Sequence, residues 1–355
     1  MSSLFGIGAN GAANFYPGIV TQSCRFDDAR TCKLTRTPGS SGNQKKWTTS
    51  FWVKRSKPGA LQYLWSGGSY SGNDGIAAIY FHSSDTIHTY FDTSGSNPYG
   101  AVNSRVYRDP SAWYHIVWAV DAANTVQKIW VNGVEESLNS GNNPPNFDYG
   151  MNRAGTTQAF GVAAWGGSDH LDGYLAHIVH LDGQYVTHES FGEFKEGIWI
   201  PKDTSGLTFG TNGFQLEFKQ TGTGTASAST IGADTSGNNN HYTSSGLVAS
   251  DSNLPDCPEN NFATFNALQK GYASTPLTEG NLKLTGTGSA GAGTYSFKSS
   301  SMGMTFPTYW EVLVNAITAT GRNGSGILAE DFDFDGYGSF STDLTGGQSG
   351  KGHGS

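Results

Sequence analysis

With 355 residues the chain is long enough for two modest domains and a substantial core. Its formal charge of −8 argues against a sequence-independent nucleic-acid binder, which needs a basic footprint to release counterions. No run approaches the roughly 18 apolar residues of a membrane helix, and the first residues lack a basic segment followed by an apolar stretch, so neither membrane insertion nor a secretory signal is expected.

The 49 glycines, 13% aromatic and 14% charged residues point to many short strands joined by small polar turns. Residues 1–21, rich in Gly, Ala and Asn, form an N-terminal arm that either docks on a partner or stays loose. Strands are expected near 22–27, 32–36, 47–54, 61–66, 76–82, 86–92, 102–107, 113–121, 126–131, 157–163, 172–181 and 213–218. The stretch 113–121 sets Tyr114, Ile116, Trp118 and Val120 on one face, and 126–131 runs into an Asn132-Gly133 turn, which predicts neighbouring antiparallel strands. At most a helical turn or two is expected over 188–195, after Thr187 and Ser190. The fold class predicted for 22–218 is therefore all-β, a two-sheet sandwich.

Residues 219–280 read as a linker with irregular loops, because 219–245 carries too few large apolar groups to bury its own backbone. Apolar patterns at 281–284, 294–297 and 309–314 then open a smaller β module over 281–355. Cys24 and Cys32 flank a turn and could approach disulfide geometry, but an odd count of three favours free buried thiols. The run from Glu330 to Gly336 reads Asp-x-Asp-x-Asp-Gly, the first half of a calcium loop, yet Thr342 stands where a bidentate Glu is wanted. No cofactor is expected, with Ca2+ at this run as the alternative.

Several segments resemble the concanavalin A-like, laminin G-like jelly-roll sandwiches: Trp113 to Ile116 with Ile129 to Gly133, Ser50 to Arg55, and Asp172 to Ile178. The segments Asp234 to Asn240 and Pro258 to Asn266 resemble structural proteins of tailed bacteriophages, in which a laminin G-like domain is often followed by a SPRY-like one. Tyr309 to Val312 resembles a SPRY strand, but the remaining chain is too short for a full SPRY sandwich, so a partial module is implied.

That resemblance implies a virion component assembled in the host cytoplasm, with other virion proteins as partners and a host-surface glycan as ligand. A fibre or adhesin subunit repeated in a homo-oligomer, such as a trimer, would gain avidity from weak sites. The alternatives are a capsid-decorating or tail-associated protein with no ligand, and a polysaccharide depolymerase. Catalysis on this fold needs paired carboxylates in a cleft, and the one dense acidic run lies outside the sandwich and lacks the final Glu of the glucanase motif, so no enzyme is expected.

Sugar binding asks for aromatic faces bracketed by planar polar groups. Trp165, in a Gly-rich loop with Asp169 and His170 shortly after it, is the first candidate site. Tyr70, Asn73 and Asp74 form the second, and Tyr99 near Asn97 a third. Trp52, Trp118 and Trp130 lie within expected strands and read as packing, while His115, His177 and His180 read as satisfying local hydrogen bonds.

Overall fold

Alternation along the strands, interrupted by Gly and Asn turns, produces 17 short strands among the described residues, with single 3-10 turns between some of them. The computed structural model describes residues 15–70, 74–93, 99–139, 143–268, 277–285, 300–303, Glu311 and Leu313. In chain order the strands are β1 (Cys24–Phe26), β2 (Lys33–Arg36), β3 (Lys46–Arg55), β4 (Gln62–Gly67), β5 (Ile76–Phe81) and β6 (Ile87–Asp92). They continue with β7 (Trp113–Asp121), β8 (Val126–Val131), β9 (Val134–Glu135), β10 (Gln158–Phe160), β11 (Gly173–Asp182) and β12 (Gly192–Lys195). The last are β13 (Ile198–Pro201), β14 (Phe214–Leu216), β15 (Thr243–Ser245), β16 (Leu277–Thr278) and β17 (Lys283–Leu284).

A seven-stranded sheet runs β1-β11-β3-β7-β8-β9, with β14 on the same edge of β11 as β1. A six-stranded sheet runs β15-β2-β10-β4-β5-β6, and every strand pair in both is antiparallel. The core fills the gap between them: Trp47, Phe51, Ile116, Trp118, Val120 and Ile178 from the larger sheet meet Leu34, Trp65, Ile79, Phe81, Phe91 and Phe160 from the smaller. The apolar face expected on 113–121 is this inner face, with Tyr114 packed at its margin. The Asn132-Gly133 turn also forms, both residues at positive φ, in the two-residue hairpin between β8 and β9. At Gly133 a Cβ would sit 2.3 Å from the Trp199 ring, so the position needs glycine for space as well as for φ.

Two expectations are corrected and one is met. No strand spans 102–107: residues 99–103 instead bridge to β6, and the Asn103 side chain takes the Ile87 N–H at 2.8 Å, ending the ladder. The stretch 188–195 holds, within the expected bound, one 3-10 turn, His188–Ser190, and continues as strand β12, because β12 and β13 pair as a hairpin laid on the outer face of the larger sheet. The first part of 219–280 is built into the sandwich. Strand β15 pairs with β2, and Ile231, Tyr242 and Leu247 join the main core.

The physical reason for this last correction lies in short side chains that stand in for a strand ladder. Asp234 accepts from the backbone N–H groups of Gln215, Ser236 and Asn240 at 2.8–2.9 Å, while Asn238 and Asn240 donate to the Gly213 carbonyl. The next turn is latched by charge. Arg25 and Arg30 both hold Asp251 at 2.8–2.9 Å, and Lys54 and the Trp113 indole converge on Asp256 at 3.0 and 3.2 Å.

Of the N-terminal arm, residues 15–21 are described, and Gly18, Ile19 and Val20 direct consecutive N–H groups at the Glu259 carboxylate, 2.6–2.8 Å away. Cys24, Cys32 and Cys257 are free and buried. The expected strands at 294–297 and 309–314, and the acidic run near Asp333, lie outside the described residues apart from Glu311 and Leu313. The pattern at 281–284 contributes β17, which pairs with β16.

Candidate functional site

The outer face of the smaller sheet is set by a defect in β4. Tyr63 pairs with Tyr80 but Trp65 pairs with Ile79, so Leu64 is an extra residue in a bulge. Leu64 and Trp65 both turn into the core, whereas Tyr63 and Ser66 turn outward. Opposite them β5 presents Ala78 and Tyr80, and β6 presents His88, Tyr90 and Asp92.

The row Ser66, Ala78 is made of small side chains, and a Gly-rich loop settles over it. Ser66 Oγ donates to the Val162 carbonyl at 2.9 Å and accepts from the Ala164 N–H at 2.8 Å. Further on, the Asp169 carbonyl takes the Tyr63 N–H at 3.3 Å. Between these anchors Gly166 adopts φ +96°, open to a residue without Cβ, and lets the loop turn just after Trp165.

Trp165 is thereby held half-buried among three phenols. Its ring centroid lies 5.4 Å from Tyr63, 5.6 Å from Tyr70 and 6.1 Å from Tyr90, at 85°, 70° and 38°. The rings continue across the strands: Tyr63 to Tyr80 at 5.1 Å, Tyr80 to His88 at 5.4 Å, and His88 stacked on His82 at 4.5 Å. Tyr90 Oη donates to Asp92 at 3.0 Å, so the 3.3 Å contact with Tyr70 is a hydrogen bond donated by Tyr70. That leaves the exposed Tyr70 oxygen as an acceptor.

Burial, then neighbouring phenols and acids, pushes Tyr63 and Tyr90 upward, and burial alone pushes Tyr80 upward, so all three are protonated hydroxyls at neutral pH. Burial and the adjacent His82 lower His88 to about 4, which keeps that imidazole uncharged as well.

The structure thus brings two separately expected candidates, Trp165 and Tyr70, into one cluster. Asp169 borders it, seated on Tyr63 through its backbone with its side chain exposed. His170 turns inward: it is buried, and its pKa is lowered by burial against a hydrogen bond with the Cys32 backbone. Asp74 pairs with Arg153 at 3.1 Å, Tyr99 bridges to Phe91 beside the core, and Asn73 and Asn97 lie outside the described residues. Tyr63, Tyr80, Tyr90 and His88 were not singled out from the sequence. Their signal was present as alternation, in Tyr80-x-His82 and His88-x-Tyr90-x-Asp92, but only strand pairing shows that these alternations share one face. Among the described residues no three His, Cys, Asp or Glu side chains group as metal ligands.

Comparison with known proteins bears on the fold. Residues 31–184 match the family described as the concanavalin A-like lectin/glucanases superfamily, a laminin G type. No curated protein sequence matches the chain. Among solved structures, a native heptameric SAP-like pentraxin from Limulus polyphemus is 18% identical with a TM-score of 0.37, over 48% of this chain and 80% of the pentraxin. A putative carbohydrate binding protein from Bacteroides ovatus is 12% identical with a TM-score of 0.42, over 64% of this chain and 58% of that one. The CBM40 of the Ruminococcus gnavus IT-sialidase is 13% identical with a TM-score of 0.34, over 48% and 95%.

Proposed function

We propose, on the premise that residues 31–184 form a laminin G-like domain of the concanavalin A-like type, that this chain is a non-enzymatic glycan-binding protein. Its ligand lies against the ring cluster centred on Trp165. One observation carries this reading: a bulge, a small-residue row and a pinned loop together hold Trp165 at the surface with Tyr63, Tyr70 and Tyr90 around it. Aromatic faces take up the C–H faces of sugars, and the Tyr70 and Asp169 oxygens at the margin are placed to meet hydroxyls.

The setting we propose is a tailed-phage particle, on the strength of the sequence motifs. There the chain acts as a fibre or adhesin subunit in a homo-oligomer, bound to other virion proteins and directed at host-surface glycans. Repetition on the particle multiplies the avidity of a shallow site.

A glycan array probed with the purified chain and with Trp165→Ala tests the binding role. Glycan signals that disappear in the variant, with an unchanged circular dichroism spectrum, are expected. Signals that persist in the variant would place the ligand elsewhere, and no signal at all favours a ligand-free decorating role. Release of reducing ends from a bound polysaccharide would convert the reading to a depolymerase.

A further inference from the structure

Resting on the glycan-binding reading above, we infer that the site selects neutral glycan chains of several sugar units and rejects anionic ones. Two observations lead there, the extent of the ring surface and the charge around it.

The rings do not end at Trp165. From Tyr70 through Trp165, Tyr63, Tyr80 and His88 to His82, each centroid lies 4.5–5.6 Å from the next. The path crosses β4, β5 and β6, whose axes are spaced about 4.8 Å apart. A single pyranose covers one or two of these rings, so a monosaccharide would leave most of the surface unused. An extended chain can place successive units along it, each adding contact area.

No outward position on these three strands carries a cation. Tyr63, Ser66, Ile76, Ala78, Tyr80, His88, Tyr90 and Asp92 are the outward residues set by the pairing. By alternation with the buried Leu34, Lys33 of β2 also faces outward, but β10 stands between β2 and β4. Among the described residues, the exposed formal charge bordering the rings is the Asp169 carboxylate; Asp92 is buried and accepts from Tyr90, and Arg153 is engaged by Asp74. A sialate, uronate or sulfate would give up hydration to meet phenols and a carboxylate, with no guanidinium or ammonium of the described residues to replace it. A neutral sugar loses no ionic hydration, and its hydroxyls find acceptors in Tyr70 and Asp169.

The test is calorimetric titration of the full chain with linear neutral oligosaccharides of two and of six units (gluco-, xylo- and N-acetylchito-series), beside polygalacturonate, heparin and polysialic acid. The expected result is binding of at least one neutral hexasaccharide, at least tenfold tighter than its disaccharide, and none of the polyanions. Tyr80→Ala should bring the hexasaccharide down to the disaccharide level while the disaccharide, held at Trp165, is unchanged. Tyr80→Phe should retain hexasaccharide affinity, which separates loss of the ring from loss of fold. Preference for a polyanion, or equal affinity for two and six units, would overturn this inference and leave glycan binding standing. Failure of every sugar would overturn the glycan-binding reading itself.

Discussion

The two sheets of the sandwich each turn an aromatic, histidine-bearing face away from the core, and the two faces have opposite fates. On the larger sheet, Trp52, Trp113, Tyr174 and His115 are covered by Trp199 of the β12–β13 hairpin and by Val20 of the N-terminal segment. His115 is 1% exposed, stacked on Trp52 at 4.6 Å; it accepts from the Trp199 indole at 2.9 Å and donates to Ser50 Oγ at 2.7 Å. On the smaller sheet, Tyr63, Tyr80, His88 and Tyr90 keep part of their surface open, and Trp165 is presented among them rather than laid over them. Similar side chains are therefore packed on one face and left partly exposed on the other, where we propose the ligand lies. Coverage by later chain segments, not residue type, separates the two.

The largest expected effect breaks the covered face. Trp199→Ala removes the ring that closes it and leaves His115 Nδ1 without its donor, at a cost of about 3–5 kcal/mol of stability. Denaturant unfolding should show this loss, while glycan affinity of the folded variant at pH 7 stays unchanged. A loss of binding equal to that of Trp165→Ala would mean that the two faces are coupled.

Acid sharpens the same contrast. Burial lowers His115 and His180 to about 3 and His177 to about 4. The unfolded rings take up protons below about 6.5 and the folded ones do not, so their stabilisation is complete above pH 6.5 and is lost as pH falls toward 4. Each ring removes on the order of 2 kcal/mol between pH 7 and pH 5. Asp172 works in the opposite sense. Burial and the charges of Asp28 and Asp27 raise it to about 8, so its protonated folded form gains stability as pH falls. The net expectation is a loss of stability between pH 7 and pH 5, with His115→Gln flattening the dependence. Binding should hold over the same range, because His88 takes its proton only near 4.

On the open face, Trp165→Ala should weaken glycan binding about 30-fold, equivalent to about 2 kcal/mol. Its effect on unfolding should stay within about 1 kcal/mol, since the ring is only partly buried. The smallest effect is expected from Asp92→Asn. It weakens the Tyr70–Tyr90–Asp92 hydrogen-bond chain without removing a ring, lowering affinity a few-fold, in line with about 1 kcal/mol for one such bond. Titration calorimetry reads both.

Much of the fold was legible because strand alternation is a local property. Tyr114, Ile116, Trp118 and Val120 sort to one face by spacing alone, and Asn132-Gly133 marks a two-residue turn wherever it falls between strands. The segment 219–262 was not legible, because its backbone is satisfied by Asp234, Asn238 and Asn240 and its position by Arg25, Arg30 and Lys54, and those partners are remote in sequence. For the site, local composition reached Trp165 and Tyr70 one at a time. The bulge at Leu64, which turns Tyr63 outward beside Tyr80, has no signature in the sequence.

The amino-acid order by itself determined the all-β class, the faces of the long strands and the turn glycines, since each depends on neighbours a few residues away. Only the tertiary structure decided which outward face is covered by the β12–β13 hairpin and which stays partly exposed. That choice depends on contacts between segments far apart in the chain, such as Trp199 with His115 and Trp165 with Tyr63, and local spacing carries no record of them.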